Sequence, residues 1–258
     1  MNNVTIELHD NSLIQTGLHS IMDFYKTLSC ESRQFPEASA FVTGMGSIFF
    51  NVLFDERRDK SESKMLARAA AEYFNHFRAP WAWFMMPADI NNDLTSHDFV
   101  LLEESPAMYF NLAQSIPVVE STHVIKEVES NDDLSEWIIP VNDAFHVEDG
   151  DDSYQQLNAA VLQNNAKKLR HFVAYSDGKL AGSATLFVSQ DAVMLHNLAT
   201  KTEFRNNGIG TALTLHILAA AKKMGYVHCF LDASAVAFSL YQKLGFKVYS
   251  STLIYAKT

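Results

Sequence analysis

The chain contains the stretch Phe204-Arg205-Asn206-Asn207-Gly208-Ile209-Gly210-Thr211, which lies between a strand-like run and a long amphipathic helical pattern. The first amides of a helix lack internal hydrogen-bond partners, and the helix dipole adds partial positive charge there. A strand–turn–helix of this kind is therefore an anion site. The two glycines let a phosphate approach the backbone without a Cβ in the way. The stretch predicts a ligand that carries phosphate.

Two familiar phosphate-binding motifs do not fit this turn. A mononucleotide P-loop needs a Lys followed by Ser or Thr after its second glycine, whereas here Gly210 is followed by Thr211 and Ala212. A dinucleotide fingerprint needs a third small residue and belongs early in a βαβ unit. This turn instead follows a predicted antiparallel meander late in the chain. The turn is therefore expected to bind a phosphate-bearing ligand by a motif other than these two.

The residues around the turn predict an alternation of helices and strands that is typical of an α/β layer arrangement. The predicted helices cover residues 131–145, 153–169, 209–224 and 234–243, and the predicted strands cover residues 170–175, 179–189, 192–200, 226–232 and 246–256. Asp177-Gly178 between two apolar runs indicates a hairpin. Pro140 predicts a kink or an early end of its helix, and Ser234 is a candidate N-cap.

The N-terminal part gives a weaker pattern of the same kind. It predicts two strands within 40–54, broken around 44–46, a helix over 60–77, a strand-like aromatic run over 80–87, a helix over 93–104 and a strand over 108–112. This order suggests an internal duplication without the glycine motif. A polar stretch at 113–121 marks the boundary, so we expect one domain over 1–118 and another over 119–258.

The composition limits the class of protein. Of 258 residues, 48% are hydrophobic and 19% are charged, as in a soluble globular protein. The formal net charge of -10 argues against a nucleic-acid binder but not against a cationic amine substrate. Cys30 and Cys229 form neither a disulfide framework nor a metal spacing, so no metal is expected. No signal peptide or membrane-spanning run is evident, and we expect a cytoplasmic protein without a membrane partner.

Three segments together resemble the GNAT superfamily of acyl-CoA-dependent N-acyltransferases. They are Leu195-His196-Asn197-Leu198-Ala199-Thr200, the turn from Glu203 to Thr211, and Leu240-Tyr241-Gln242-Lys243-Leu244-Gly245-Phe246. The resemblance covers residues 122–258 and implies a GNAT-like mixed central sheet flanked by helices. The N-terminal part, with Pro80-Trp81-Ala82-Trp83-Phe84, resembles the degenerate first half of two-domain GNAT proteins, and an unrelated packing domain is the alternative.

The resemblance also implies a co-substrate, acetyl-CoA, and residues that hold it. The backbone beside the pantetheine arm would be that of Leu198, Ala199 and Thr200. The backbone around the pyrophosphate would be that of Arg205, Asn206, Asn207, Gly208, Ile209, Gly210 and Thr211, with the Thr211 hydroxyl as an added donor. Arg205 has an alternative role as a surface residue that ties the turn together.

Two side chains are implied in catalysis. Tyr241 matches the family's general acid, which protonates the departing thiolate or donates a hydrogen bond to it; the alternative is a core tyrosine. His196 is the candidate general base because imidazole titrates near neutrality, unless strand alternation turns it away from the site. The acidic loop that holds Glu148, Asp149, Asp151 and Asp152 would attract a cationic acceptor, or else is a solvated surface loop.

The activity implied by the resemblance is direct transfer of an acetyl group from acetyl-CoA to a primary amine. The alternative is a non-catalytic CoA-binding or protein-interaction module. We expect no nucleic-acid partner, and the acceptor, the acyl-chain preference and the oligomeric state stay open at this point.

Overall fold

The structure is a computed structural model that describes residues 11–56, 63–86, 94, 98–145, 152–165 and 168–257. Within these residues there are six α-helices and eleven β-strands. The helices are α1 (Asn11–Leu28), α2 (Ser63–His76), α3 (Asn131–Phe145), α4 (Ser153–Asn165), α5 (Ile209–Lys223) and α6 (Phe238–Leu244). The strands are β1 (Glu31–Phe35), β2 (Ala38–Val42), β3 (Val52–Asp55), β4 (Ala82–Met85), β5 (Phe99–Asn111), β6 (Val124–Glu127), β7 (Leu169–Ser176), β8 (Lys179–Val188), β9 (Val193–Thr200), β10 (His228–Asp232) and β11 (Lys247–Lys257).

The chain forms two compact units. The first consists of Met1–Met108, Asp232–Val236 and Val248–Thr258, as far as these are described, and its strands follow the order β1-β2-β3-β4-β11-β5. β1, β2 and β3 are antiparallel, whereas β3 and β4 are parallel and are connected through α2. One side of α2 packs with the fully buried Trp83 of β4, and its packing residues are Leu66, Ala70 and Phe74. Their spacing of four residues is that of a helix with one buried face.

The second unit consists of Tyr109–Leu231 and Ala237–Lys247, and its strands follow the order β10-β9-β8-β7-β6. β6 to β9 are antiparallel neighbours, and β9 and β10 are parallel with α5 as their connection. The predicted hairpin between β7 and β8 is confirmed, with Asp177 and Gly178 both at positive φ. α3 and α5 both pack on β8 and β9. The glycine turn follows the end of β9 and leads into α5.

The two units repeat the same order of elements. In each, three antiparallel strands lead through a helix into a strand parallel to the third, first as β1-β2-β3-α2-β4 and then as β7-β8-β9-α5-β10. The predicted internal duplication agrees with this order. The two units, unlike the two repeated sets of elements, are not contiguous in sequence, because the last residues of the chain, from Val248, belong to the first unit.

Two predictions of secondary structure were wrong. The helix predicted over 93–104 is replaced by β5 from Phe99 onward; the residues before it lie largely outside the described part of the chain. Phe99 opens a run of four consecutive apolar residues, a pattern that favours a strand over an amphipathic helix. The predicted N-cap Ser234 was also wrong, since α6 begins at Phe238 with Ala237 as its N-cap.

Pro140 does not end its helix, because α3 continues to Phe145. Trp137 and Ile138 before the proline and Val141 after it are all buried. This shared packing stabilises the helix on both sides of the lost backbone hydrogen bond.

The helix α1 was missed by the sequence analysis. Its buried residues Ile14, Leu18, Ile21 and Tyr25 recur at helical spacing, so a signal was present. Among the described residues, none of the helices combines the length and apolarity needed to cross a membrane.

Candidate functional site

The strand β9 has one backbone edge that is only partly paired. Toward β10 its pairing runs over Val193 with Cys229 and Met194 with Phe230, and within the described residues of these strands it ends there. On the other side β9 stays paired with β8 as far as Thr200. The backbone of residues 195–200 therefore presents peptide groups to a further partner on the β10 side. The residues predicted to lie beside pantetheine, 198–200, are in this stretch.

A β-bulge marks the same stretch. Ser183 pairs with Ala199 and Thr185 pairs with His196, so Asn197 and Leu198 together stand opposite one residue of β8. Asn197 has φ +52°, in the left-handed region that asparagine tolerates better than most residues. A bulge of this kind bends its strand and changes the direction of the peptide groups that follow.

The glycine turn ends in an uncapped helix. Gly208, with φ +82°, is the N-cap of α5 and supplies no side chain to the free amides. The first intrahelical bond runs from the Ala212 N–H to the Gly208 carbonyl at 2.9 Å. The N–H groups of residues 209–211 precede that bond and have no intrahelical acceptor by helix geometry. The turn thus has the form of an anion site, as the sequence predicts.

Arg205 contacts the strand that precedes the turn. Its exposed side chain donates from Nε to the Thr200 carbonyl at 3.4 Å. Asn206 next to it has φ +64°. The guanidinium therefore ties the turn to the end of β9, and its contact with a phosphate stays a prediction.

A cavity of about 660 Å³ adjoins the turn. One side of it is formed by residues 119–123, and the other by Asn207, Gly208 and the beginning of α5. His123 connects the two sides, because its Nε2 donates to the Asn207 carbonyl at 2.8 Å. The sequence predicts a boundary at 113–121 and gives no sign that the end of this segment lines a cavity.

The two sequence motifs meet at Gly210. A Cβ on this residue would lie 3.3 Å from Leu240 Cδ2 and 3.8 Å from Leu198 Cδ2. Leu240 precedes Tyr241 on α6, and Leu198 lies in the bulge of β9. The second glycine of the turn therefore leaves room for the close packing of α5 against α6 and β9.

Tyr241 lies buried on α6, with its ring centroid 5.4 Å from that of Phe246. Burial, and then the nearby Cys229, raise the pKa of Tyr241 above its usual range. The phenol therefore keeps its proton at neutral pH, which suits a hydrogen-bond donor. Burial also raises the pKa of Cys229 to about 12, so its thiol is protonated and is a poor nucleophile.

His196 is half-buried on β9, and burial lowers its pKa to about 3. The imidazole is neutral at pH 7 but holds an added proton poorly. Its predicted role as a general base stays a prediction. Of the acidic loop, Asp152 is exposed, and Glu148, Asp149 and Asp151 lie outside the described residues.

A chain of buried polar side chains reaches the bulge from α4 and β7. Asn197 Nδ2 donates to Tyr154 Oη at 2.9 Å and to Thr185 Oγ1 at 3.4 Å. Thr185 Oγ1 in turn lies 2.9 Å from His171 Nδ1. The His171 ring packs against Trp137, with centroids 4.4 Å apart. These residues were not predicted, since neither their types nor their spacing indicates a shared site.

The family model and the curated relative to which this chain is similar both carry the name acetyltransferase. Residues 167–248 match the family model described as an acetyltransferase (GNAT) domain. The chain is similar to the [ribosomal protein bS18]-alanine N-acetyltransferase of Escherichia coli strain K12, at 27% identity over 106 residues. The aligned region covers 40% of this chain and 72% of that enzyme. The matched family region contains the turn, the bulge and Tyr241.

Solved structures extend the similarity to nearly the whole chain. A GCN5-related N-acetyltransferase from Kribbella flavida aligns over 95% of both chains, with a TM-score of 0.76 and 12% identity. A tandem GNAT protein from the clavulanic acid biosynthesis pathway aligns over 96% of this chain and 95% of its own, with a TM-score of 0.58 and 11% identity. At these identities the likeness shows the fold, that of a chain with two related halves.

Proposed function

From the match of residues 167–248 to the acetyltransferase (GNAT) domain, we propose that the chain is an acyl-CoA-dependent N-acetyltransferase of the GNAT superfamily. The observation that carries the proposal is the juxtaposition in β9 and α5. A strand whose pairing with its parallel neighbour ends at Met194 leads, through residues 201–208, into a helix whose first amides are uncapped. A ligand with amide groups along a chain that ends in a diphosphate would match the open edge of β9 and the uncapped start of α5.

The backbone of β9 would hold the pantetheine arm of acetyl-CoA. Pantetheine contains amide groups, which can pair with a strand edge as an added strand does. Residues 198–200 supply that edge after the bulge. Only main-chain groups are needed, so the ordinary side chains of Leu198, Ala199 and Thr200 are compatible with the role.

The turn would hold the diphosphate. The amides of residues 209–211 and the dipole of α5 favour negative charge at this end of the helix. Gly208 keeps the approach to the backbone open, and the Thr211 hydroxyl adds a donor. The adjoining cavity of about 660 Å³ offers room for further parts of a large ligand.

Acetyl-CoA supplies an activated acyl group as a thioester. In the proposed reaction the amine nitrogen forms a bond to the acyl carbon, the carbon–sulfur bond breaks, the amine loses a proton to solvent water and the sulfur leaves as a thiolate. Tyr241 would donate a hydrogen bond or its proton to that sulfur. Its raised pKa favours the hydrogen bond over complete transfer.

The acceptor in this proposal is a primary amine. The E. coli relative is named for acetylation of an alanine in ribosomal protein bS18, and 27% identity over part of this chain supports an amine acceptor without naming it. The net charge of -10 would attract cationic amines over long distances.

A thiol-release assay with acetyl-CoA and a panel of amines tests the proposed activity. The panel includes a polyamine, an aminoglycoside, free lysine and peptides with free N-termini. We expect thiol release that depends on at least one amine and is first order in protein. Binding of CoA without thiol release across the panel would favour the non-catalytic CoA-binding module instead.

A further inference from the structure

Asn197 is the end point of a buried chain of hydrogen bonds in the second unit. Its amide nitrogen donates to Tyr154 Oη at 2.9 Å and to Thr185 Oγ1 at 3.4 Å. Thr185 also contacts His171 Nδ1 at 2.9 Å. Tyr154 is 7% exposed, and Thr185 and His171 are completely buried. The chain thus connects α4, β7 and β8 to the bulge of β9.

Packing alone does not account for this series of polar side chains, because buried polar groups cost free energy unless they are hydrogen-bonded. Leu169 of β7 and Phe187 of β8 lie two positions along from His171 and Thr185, on the same faces of their strands, and both are apolar and completely buried. Apolar residues at positions 171 and 185 would therefore suit the same interior. Hydrogen bonds differ from apolar contacts in that they specify direction, and here they specify the position of the Asn197 amide.

The side chains in this series of hydrogen bonds keep one charge state near neutral pH. Burial raises the pKa of Tyr154 to about 12 and lowers the pKa of His171 to about 3. Both side chains are therefore neutral between these values. Hydrogen-bonded side chains whose charge does not change with pH are suited to holding a conformation. They are not suited to relaying a proton or sensing pH.

The conformation held is that of the bulge. Asn197 has φ +52°, and together with Leu198 it stands opposite a single residue of β8. A slip of one residue in a strand turns its peptide groups and side chains to the opposite direction. Two hydrogen bonds from one side-chain amide, to α4 and to β8, oppose such a slip at the residue where it would begin.

We propose that Asn197 is a positioning residue for acyl transfer, held by Tyr154 and Thr185. By fixing the bulge it aims the peptide groups of residues 198–200 at the acyl-pantetheine portion of the co-substrate. The proposal rests on the proposed function for its effect on turnover, and its structural part stands independently. Displacement of a reacting group by about 1 Å lowers rates on the order of a hundredfold.

The test uses Asn197→Gly, Tyr154→Phe and the double variant. Glycine tolerates positive φ, so Asn197→Gly removes the two hydrogen bonds without adding backbone strain. Tyr154→Phe removes the hydroxyl oxygen that accepts the hydrogen bond from Asn197 and keeps the aromatic ring. Gln155→Ala is the matched control, since Gln155 Nε2 makes an exposed bond between α4 and α3, to Ser135 Oγ, and does not contact the bulge.

We expect each single variant to lower kcat about ten- to hundredfold while the Kd for CoA changes less than about threefold. The double variant should be no worse than the poorer single variant, because both remove the same interaction. Gln155→Ala should match the parent chain. Full activity in Asn197→Gly, or independent effects that multiply in the double variant, would overturn the positioning role.

Amide hydrogen exchange separates this proposal from the proposed function. In Tyr154→Phe, exchange at residues 196–199 should be about tenfold faster, while exchange in β7 stays unchanged. Unchanged exchange in β9 would overturn the structural part even if the enzyme is active. Absence of acyl transfer in the parent chain would instead overturn the proposed function and, with it, the effect on turnover.

Discussion

Gly210 of α5 and Leu240 of α6 lie so close that a Cβ on Gly210 would be 3.3 Å from Leu240 Cδ2. This contact joins two motifs that are about 30 residues apart in the sequence. The glycine predicted for its access to phosphate thus also lets α5 pack beside the residue that precedes Tyr241. The proposed cofactor binding and the placement of the Tyr241 phenol would therefore depend on the same position.

Gly210→Ala should destabilise the second unit slightly. The neighbouring side chain must move by a few tenths of an ångström, which we expect to lower the free energy of unfolding by about 1 kcal/mol. Urea unfolding measures the change. Gly46→Ala is the matched control, because a Cβ at Gly46 meets nothing within 4 Å. Equal stability of the two variants would contradict the packing role of Gly210.

Gly182→Ala should be more damaging. A Cβ on this residue of β8 would lie 2.7 Å from the Ala199 carbonyl oxygen and 2.7 Å from Ile209 Cγ2. The backbone of β9 must then move, and we expect a loss of about 1–3 kcal/mol in unfolding free energy. Acetyl-CoA affinity should fall as well, because β9 carries the proposed pantetheine edge. A variant with unchanged unfolding and binding would show that the close approach is not needed.

Tyr241→Phe tests the proposed donor to sulfur. Loss of the hydroxyl should lower kcat about a hundredfold, within the usual range for general acid–base catalysis. The Kd for CoA should hardly change, since the ring keeps its packing against Phe246. Tyr226→Phe is the control, as it removes a phenol that bonds to the Ser189 carbonyl, away from the proposed site. Unchanged kcat in Tyr241→Phe would remove this residue from the mechanism.

His196→Gln tests the predicted general base. Because burial lowers the pKa of His196 to about 3, it accepts a proton weakly, and we expect kcat to fall less than about tenfold. Steady-state kinetics at saturating acetyl-CoA give the result. A loss of a hundredfold or more with unchanged CoA affinity would instead establish His196 as the base that the sequence predicts.

Stability should fall in mild acid. Burial lowers the pKa of His171 to about 3, so the unfolded chain binds more protons than the folded chain from about pH 6.5 down to 3. The free energy of unfolding must then decrease as the pH falls through this window. Asp232, whose pKa burial raises to about 6, acts in the opposite direction. The difference between parent and His171→Gln isolates the histidine, and parallel Tm–pH curves would contradict the assignment.

Local backbone chemistry explains why the second unit could be predicted. Asp177-Gly178 forms the predicted hairpin, and Gly208 and Gly245 have the positive φ values that a turn and a helix end require. Each of these features depends on a few adjacent residues. The order of elements in the second unit and the glycine turn before α5 therefore followed from the sequence, and binding of an anion by that turn stays a prediction.

Contacts between distant segments explain what was missed. Tyr154, His171, Thr185 and Asn197 come from four separate elements, and each alone resembles an ordinary helix or strand residue. The segment that ends at His123 resembles a linker until its contact with Asn207 is seen. That the helix continues past Pro140 could not be predicted, because the packing that holds the helix on both sides of the proline is tertiary.

Calorimetric titration of the full chain with acetyl-CoA tests the central claim most directly. We expect one site per chain, with a Kd in the micromolar to sub-millimolar range, corresponding to roughly -5 to -8 kcal/mol. Binding should weaken as salt rises, because a diphosphate at a helix N-terminus is partly screened. Absence of binding heat, together with an unchanged Tm at millimolar acetyl-CoA, would contradict the proposed acetyl-CoA site.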